Sequence, residues 1–314
     1  MFEDCTPSNE KNVYFEFRVN NQFEFSGYIT SGTIEQDPGE DLEEGTEGCI
    51  WNVNQTGDGI NSKKTIRSVL AGICDDPEGY QITLLNNIHY ESITINKTEN
   101  FPVLIKGGAK DEEETKIHTV WGVNTSVART ITLLQGDLTI QNIQFIFFEN
   151  TNEIQDEQDE NIWPWNAIIY AYDQSLTYRI LSLESCIFKG LGSDKFVNKM
   201  IYAHQMNKLN ITKCSFQDAY INDSYAVYFQ SGHNNSEIIV ENSTFENINV
   251  TNYGRGALYI NLESGYQTGC IYGDFWYGGT FNFSNNEFLN NSRHQSGNGA
   301  NDAYLQWVEY PQDW

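Results

Sequence analysis

Positive charge is scarce in this chain. Lys and Arg number 18 against 43 Asp and Glu in 314 residues, a formal net charge of −25. Nucleic acid and anionic lipid both require a basic footprint, so this balance argues against either as a partner. No apolar run approaches the roughly 20 residues a membrane helix needs, which argues against membrane insertion. The opening Met1-Phe2-Glu3-Asp4-Cys5 has neither the basic nor the apolar stretch of a secretory signal. Cysteine is sparse. Cys5, Cys49, Cys74, Cys186, Cys214 and Cys270 are too few and too scattered for a disulfide scaffold or a CxxC metal site. His89, His118, His204, His233 and His294 show no HxxxH or HxxE spacing, and the GxSxG, phosphate-loop and dinucleotide motifs are missing. No metal, no cofactor and no catalytic residue follow from these patterns.

What the chain does have is a repeat. An eight-residue phrase with apolar first and third positions and a closing Phe occurs five times: Leu138–Phe145, Leu181–Phe188, Leu209–Phe216, Ile238–Phe245 and Phe281–Phe288. The shortest intervals between closing phenylalanines are about 28 residues, and inserted loops widen the others, which is the signature of a solenoid with one shared core. The expected fold class is all-β, a right-handed parallel β-helix.

Ten N-x-S/T acceptor sites stand at Asn54, Asn96, Asn124, Asn210, Asn222, Asn234, Asn242, Asn249, Asn282 and Asn290, about twice what the abundance of these residues would give. Asn210 and Asn282 each lie between two apolar neighbours, and Asn96 follows Ile93-x-Ile95. In a strand those neighbours point inward, so the asparagines point to solvent, where a glycan could stand. The expectation is a secreted, N-glycosylated chain at the cell surface or outside the cell.

Cys186 and Cys214 hold the same slot in consecutive repeats. Stacked parallel strands bring such residues within about 4.8 Å, a separation a disulfide tolerates. Packing as two free thiols in a ladder with Ile143, Ser243 and Asn286 is the other reading, and the favoured one. Cys5, Cys49 and Cys74 could tether the N-terminal part in any pairing.

Residues 1–60 are expected to form a separate N-terminal portion. Val13–Val19 and Phe23–Ile29 alternate as a hairpin around Asn20-Asn21-Gln22. The acidic loop from Glu35 to Glu47 lacks the ordered spacing of a calcium loop and reads as a solvated excursion. Residues 61–314 carry the solenoid. Ile66, Val69, Leu70 and Ile73 predict a helix near 63–74, with Ser62 as its cap and Pro77 as a breaker. Residues 80–107 then give three short strands whose turns are too short for crossover helices. Such strands can coil, each pairing with its equivalent one turn later.

A capping helix followed by YQITLLNNIHYESITINKT and VLIKGG resembles the opening coils of pectin-lyase-like right-handed parallel β-helices. Gly254-Arg-Gly-Ala-Leu-Tyr259 and Phe288-Leu-Asn-Asn291 are similar to the repeats of polymorphic-outer-membrane-protein-type surface solenoids. These resemblances span roughly residues 60–310 and imply a fold more than a chemistry. Gly273-Asp-Phe-Trp-Tyr-Gly278 is similar to the nucleophile stretch of pectin methylesterases and would make Asp274 a nucleophile. Matching glutamines and a downstream Arg-Pro-Trp are missing, and no close acid pair recurs on a strand face. An enzyme is not expected.

A second column contains Tyr170, Tyr202, Tyr228, Tyr259 and Tyr304, flanked by apolar slots. Period-two logic turns these tyrosines outward as a candidate ligand or partner face. The alternatives are an inward tyrosine ladder, or a cover supplied by the insert Asn150–Trp165. The last repeat breaks off at Trp314, and an uncapped coil invites strand addition. The expected function is a structural or adhesive glycoprotein that associates end to end in a surface fibril, or with other surface proteins or glycans. The alternative is a carbohydrate-active or carbohydrate-binding β-helix, on which the acidic surface would need calcium to bridge polyanions.

Overall fold

The repeat in the sequence is a repeat in space. The computed structural model describes residues 49–57, 61–97, 101–108, 119–124, 129–148, 167–172, 178–192, 195–221, 225–231, 236–250, 258–261 and 280–293. These fall in the second of two compact units, Met1–Leu42 and Glu43–Trp314. The hairpin expected over residues 13–29, the acidic loop and the insert Asn150–Trp165 lie outside the described residues.

The chain starts with β1 (Ile50–Val53), β2 (Ser62–Lys63) and the helix α1 (Ile66–Ala71). It then visits three faces in turn. The first round is β3 (Tyr80–Leu84), β4 (Ile88–His89) and β5 (Ile93–Asn96), and the second is β6 (Val103–Gly107), β7 (Val120–Asn124) and the start of β8 (Arg129–Gln141). After β8 come β9 (Gln144–Phe148) and β10 (Ala167–Ala171), then β11 (Arg179–Glu184), β12 (Ile187–Lys189), the short β13 (Phe196–Val197) and β14 (Lys199–Met206). The rounds continue with β15 (Lys208–Thr212), β16 (Ser215–Ile221) and β17 (Val227–Ser231), then β18 (Glu237–Glu241), β19 (Thr244–Val250) and β20 (Leu258–Asn261). The described chain closes with β21 (Thr280–Ser284), β22 (Glu287–Leu289) and β23 (Ser292–Arg293).

Each strand pairs in parallel with its equivalent one round later: β3 with β6, β4 with β7, β5 with β8. β8 turns a corner within one strand. Ile131–Leu133 pair with β5 and β10, whereas Leu138–Gln141 pair with β6 and β11. The first and third faces therefore merge into one 14-stranded sheet, and the second is a separate 9-stranded sheet. The architecture is all-β with long parallel sheets.

The eight-residue phrase explains the first corner. Its first and third residues are apolar and point into the core: Leu181 and Leu183, Leu209 and Ile211, Ile238 and Val240 are all buried. Its fifth residue is left-handed every time: φ is 57° at Asn142, 54° at Ser185, 54° at Lys213, 51° at Asn242 and 54° at Asn285. Asparagine tolerates this conformation better than most residues with a Cβ. The backbone ladder continues through the turn. The fifth-position N–H of Ser185 donates to Thr212 O and that of Lys213 to Glu241 O, both at 3.0 Å. Satisfied backbone groups are what permit a tight corner beside a core.

The eighth residue builds a column. Trp121, Phe145, Phe188, Phe216, Phe245 and Phe288 stack in order, with ring centroids 5.7, 4.8, 4.8, 4.7 and 5.0 Å apart. Register explains the order, since Phe145 pairs with Phe188, Phe188 with Phe216 and Phe216 with Phe245. The sixth residue fills a smaller slot, in which Ile143, Cys186, Cys214 and Ser243 are buried. Where that slot is polar it serves the backbone. Ser243 Oγ accepts from Cys214 N at 3.1 Å, and Asn286 Oδ1 accepts from Ser243 N at 2.9 Å. The asparagine of the Phe288-Leu-Asn-Asn291 motif does the same. Asn291 is buried, accepts from Ile248 N and donates to Phe245 O.

The helix is shorter than its pattern predicts. Thr65, not Ser62, is the N-cap and accepts from Ser68 N, while Ser62 lies in β2. Ile66 and Val69 are buried, but Ile73 lies beyond the helix end and is 80 % exposed. Gly72 ends the helix in extended conformation, which removes the last turn that would have carried Ile73 inward. The residues from Tyr80 to Gly107 form four strands, not three, because β6 already begins the second round.

Candidate functional site

The first face displays sequon asparagines between inward apolar residues. Asn210 and Asn282 occupy one outward column, joined through Ile239 by in-register pairing. Asn96, Asn242, Asn282 and Asn290 are exposed; Asn54, Asn124, Asn210 and Asn249 are half-buried; Asn222 and Asn234 lie outside the described residues. Asn210 Oδ1 accepts from its own sequon hydroxyl, Thr212 Oγ1, at 2.8 Å. Asn54 is committed internally: its Nδ2 donates to Ser62 Oγ at 2.8 Å, and its Oδ1 accepts from Gly57 N at 2.6 Å.

The third face carries the tyrosine column. Tyr170 pairs with Tyr202, Tyr202 with Tyr228 and Tyr228 with Tyr259. Alternation does turn the first three away from the main core, because Ile169, Ala171, Ile201, Ala203, Val227 and Phe229 fill it. They are nonetheless not open to solvent. Tyr170, Tyr202 and Tyr228 are 5 %, 3 % and 7 % exposed and form a second apolar cluster with Ala167 and Tyr225. Among the described residues, Arg129 sits 3.6 Å over Tyr170, Tyr172 meets its edge, and Tyr225 stacks on Tyr228 at 5.0 Å. A ring stack of this kind loses its free face once neighbours close over it, so the expected open partner stripe is corrected at these three positions. The Tyr259 side chain and Tyr304 lie outside the description.

His204 belongs to the same cluster. It lies edge-on to Tyr172 at 4.5 Å and parallel to Tyr202 and Tyr228. Its buried Nδ1 has no hydrogen-bond partner. Burial, with the Arg179 charge nearby, lowers its pKa to about 4. Arg179 itself is fully buried and clasps three rounds: its Nε donates to Leu134 O at 2.5 Å, its Nη1 to Gln205 O at 3.2 Å, and its N–H to Asn207 Oδ1. Sequence reading singled out neither residue. The signal was present, since Tyr202-Ala-His204 puts a histidine on the same side of the strand as the column tyrosine.

A second polar knot holds the helix. Glu91 accepts from Ile66 N and Arg67 N at 2.8 Å each, and pairs with His89 Nε2 at 3.0 Å. Burial alone would raise the Glu91 carboxyl, but the His89 hydrogen bond and the two backbone donors hold it below the usual value. His89 in turn meets the edge of Trp121 at 5.1 Å, which joins the knot to the aromatic column.

Cys49 and Cys74 form a disulfide, while Cys186 and Cys214 are buried free thiols. Among the described residues no three or more His, Cys, Asp or Glu side chains converge on a point that could hold a metal. No described helix is long and apolar enough to cross a membrane. Asp274, Cys5 and Cys270 lie outside the described residues.

Sequence reasoning also missed an aromatic platform on the outer side of the second face. Tyr90 is 64 % exposed and meets Phe148 edge-on at 5.7 Å. Its ring lies so close on Gly122 that a Cβ there would collide with it. Ile88, at the start of the same short segment, is exposed as well.

No protein-family model matches the chain, no curated protein matches it, and no solved structure matches it.

Proposed function

We propose that this chain is a right-handed parallel β-helix of the pectin-lyase-like kind, with α1 as its N-terminal cap. It works as an extracellular, N-glycosylated structural or adhesive element, a subunit that joins end to end in a surface fibril. The observation that carries this reading is the unbroken column from Trp121 to Phe288. Coils stacked by simple translation form a stiff rod, and the parallel pairing that joins one coil to the next also suits joining one copy to the next. The outward asparagines at Asn96, Asn210 and Asn282 and the Cys49–Cys74 disulfide fit an oxidising, glycosylating compartment. Intact-mass measurement on chain secreted from a eukaryotic host, before and after glycosidase, tests the glycoprotein half; an unchanged mass removes it. Concentration-dependent sedimentation tests assembly, and a monomer at all concentrations removes the fibril half.

A second reading, carbohydrate binding, draws on Tyr90. A solvent-facing ring can stack against the apolar face of a sugar. Titration with neutral and acidic oligosaccharides, with Tyr90→Ala as comparison, decides it; equal affinity of both chains sinks the reading.

A further inference from the structure

A helix as short as α1 does not stand by itself, since isolated helices under about 12 residues are marginal in water. Of its residues only Ile66 and Val69 are buried, so ties from the first round of strands must keep it in place. At its start Glu91 accepts from Ile66 N and Arg67 N, and Arg67 Nη2 donates to Ser92 O at 2.8 Å. At its end Lys97 Nζ donates to Leu70 O at 2.9 Å, and Tyr80 OH donates to Gly72 O at 2.8 Å. Lys97 Nζ donates to Tyr80 OH as well. A carboxylate at the N-terminus and an ammonium at the C-terminus both suit the helix dipole.

What α1 lies against gives these ties a role. The helix packs on β5, β2 and β3. β5 pairs with β8 and with no other described strand, so its second edge carries none. An open edge of this kind is where a foreign strand can add.

The clamp has one acid-sensitive part. His89 pairs with Glu91 at 3.0 Å, and Arg67 stands at the helix start. On the elements packed against α1, Lys63 lies over Trp51, while Tyr80 and Lys97 serve the far end. Asp76 accepts from Glu78 N, and Glu78 accepts from Gln81 Nε2. Among the described residues Glu91 is thus the one carboxylate that accepts from α1. Burial opposes its charge, but the His89 hydrogen bond and the two helix N–H groups outweigh burial and hold its pKa below the usual 4.5. The tie is whole above about pH 4.5 and is lost as pH falls through the lower folded value.

We propose that α1 is an acid-released lid: a proton taken up by Glu91 frees the helix start, and the second edge of β5 is laid bare. Hydrogen exchange tests this on the full chain with the Cys49–Cys74 disulfide intact, at pH 7 and pH 3.5, with rates corrected for the intrinsic pH dependence. The amides of Ile66, Arg67 and Val69, and those of β5, are expected to exchange about tenfold faster at the lower pH, while β15 and β18 change by less than about threefold. Glu91→Gln gives the fast α1 rates already at pH 7 and removes the step. Lys97→Met cuts the far tie, speeds α1 at pH 7 and keeps the step. The proposal is overturned if α1 and β5 show no step in the parent chain, if β15 and β18 rise by the same factor, or if the step survives Glu91→Gln. The parent series decides the matter even where a variant fails to fold.

Discussion

Lys213 sits where a Cβ is strained. Its φ of 54° is shared by the corner residues of the neighbouring coils, where Asn142, Asn242 and Asn285 occupy the same place. A residue other than glycine or asparagine pays about 1–2 kcal/mol to hold this conformation. Lys213→Asn is therefore expected to stabilise the protein by about 0.5–1 kcal/mol, read from the urea midpoint at unchanged slope. A loss of stability would mean that the corner is held by something the lysine supplies. His204 gives the second prediction at this scale. Its pKa falls to about 4 in the fold, from 6.5. The unfolded chain thus takes up the proton first as pH drops. Stability is full above about pH 6.5 and declines as pH falls toward 4, by at most about 1.4 kcal/mol per pH unit. The half-buried ring is partly screened, so the slope is shallower than that limit. Between pH 7 and 4.5, His204→Phe should lose less stability than the parent. Parallel curves for the two proteins would exclude His204 as the titrating group.

The phrase is an element whose eight positions have separate duties: apolar first and third, left-handed fifth, small sixth, aromatic eighth. Phe216 is the centre of the aromatic column and packs between Phe188 and Phe245 at 4.8 and 4.7 Å. Phe216→Ala should cost about 3–5 kcal/mol, as expected for a buried aromatic that leaves a cavity. Gln217→Ala, one residue on and facing outward, should stay within about 0.5 kcal/mol. Comparable losses by thermal unfolding would show that the column is not the core. Most of this was legible in the sequence, because strands repeat their facing with period two and the closing Phe recurs. The packing role of the sixth position was legible too, in the ladder of Ile143, Cys186, Cys214 and Ser243, but the duty of the fifth was not. A left-handed corner can be occupied by Asn, Ser or Lys, and no composition rule joins those three. The tyrosine column shows another limit. Alternation fixes which face a side chain takes, and Tyr170, Tyr202 and Tyr228 took the outer one, but it does not reveal what lies over that face. The end of α1 was misread for a related reason: Ile73 keeps the helical spacing, yet spacing does not show where Gly72 leaves the helix.

Among the described residues each round of strands pairs with the rounds before and after it, so stability should pass along the sheets in steps. The Cys49–Cys74 disulfide lies beside the first described strands, closing a loop with a sequence separation of 25 residues around β1, β2 and α1. A loop of that length is worth about 3–4 kcal/mol in the chain-entropy account. Selective reduction should therefore loosen the first coils and leave the distant ones intact. Hydrogen exchange is expected to quicken in β1 and β3 while amides in β15 and β18 keep their protection. Cys186 and Cys214 are already thiols, so reductant acts on the described coils only through the one disulfide. If protection fell evenly from Ile50 to Glu241, the coils would be folding as a single cooperative block. The nearest-neighbour account of the stacked strands, and with it the proposal that copies join end to end, would then have to be abandoned.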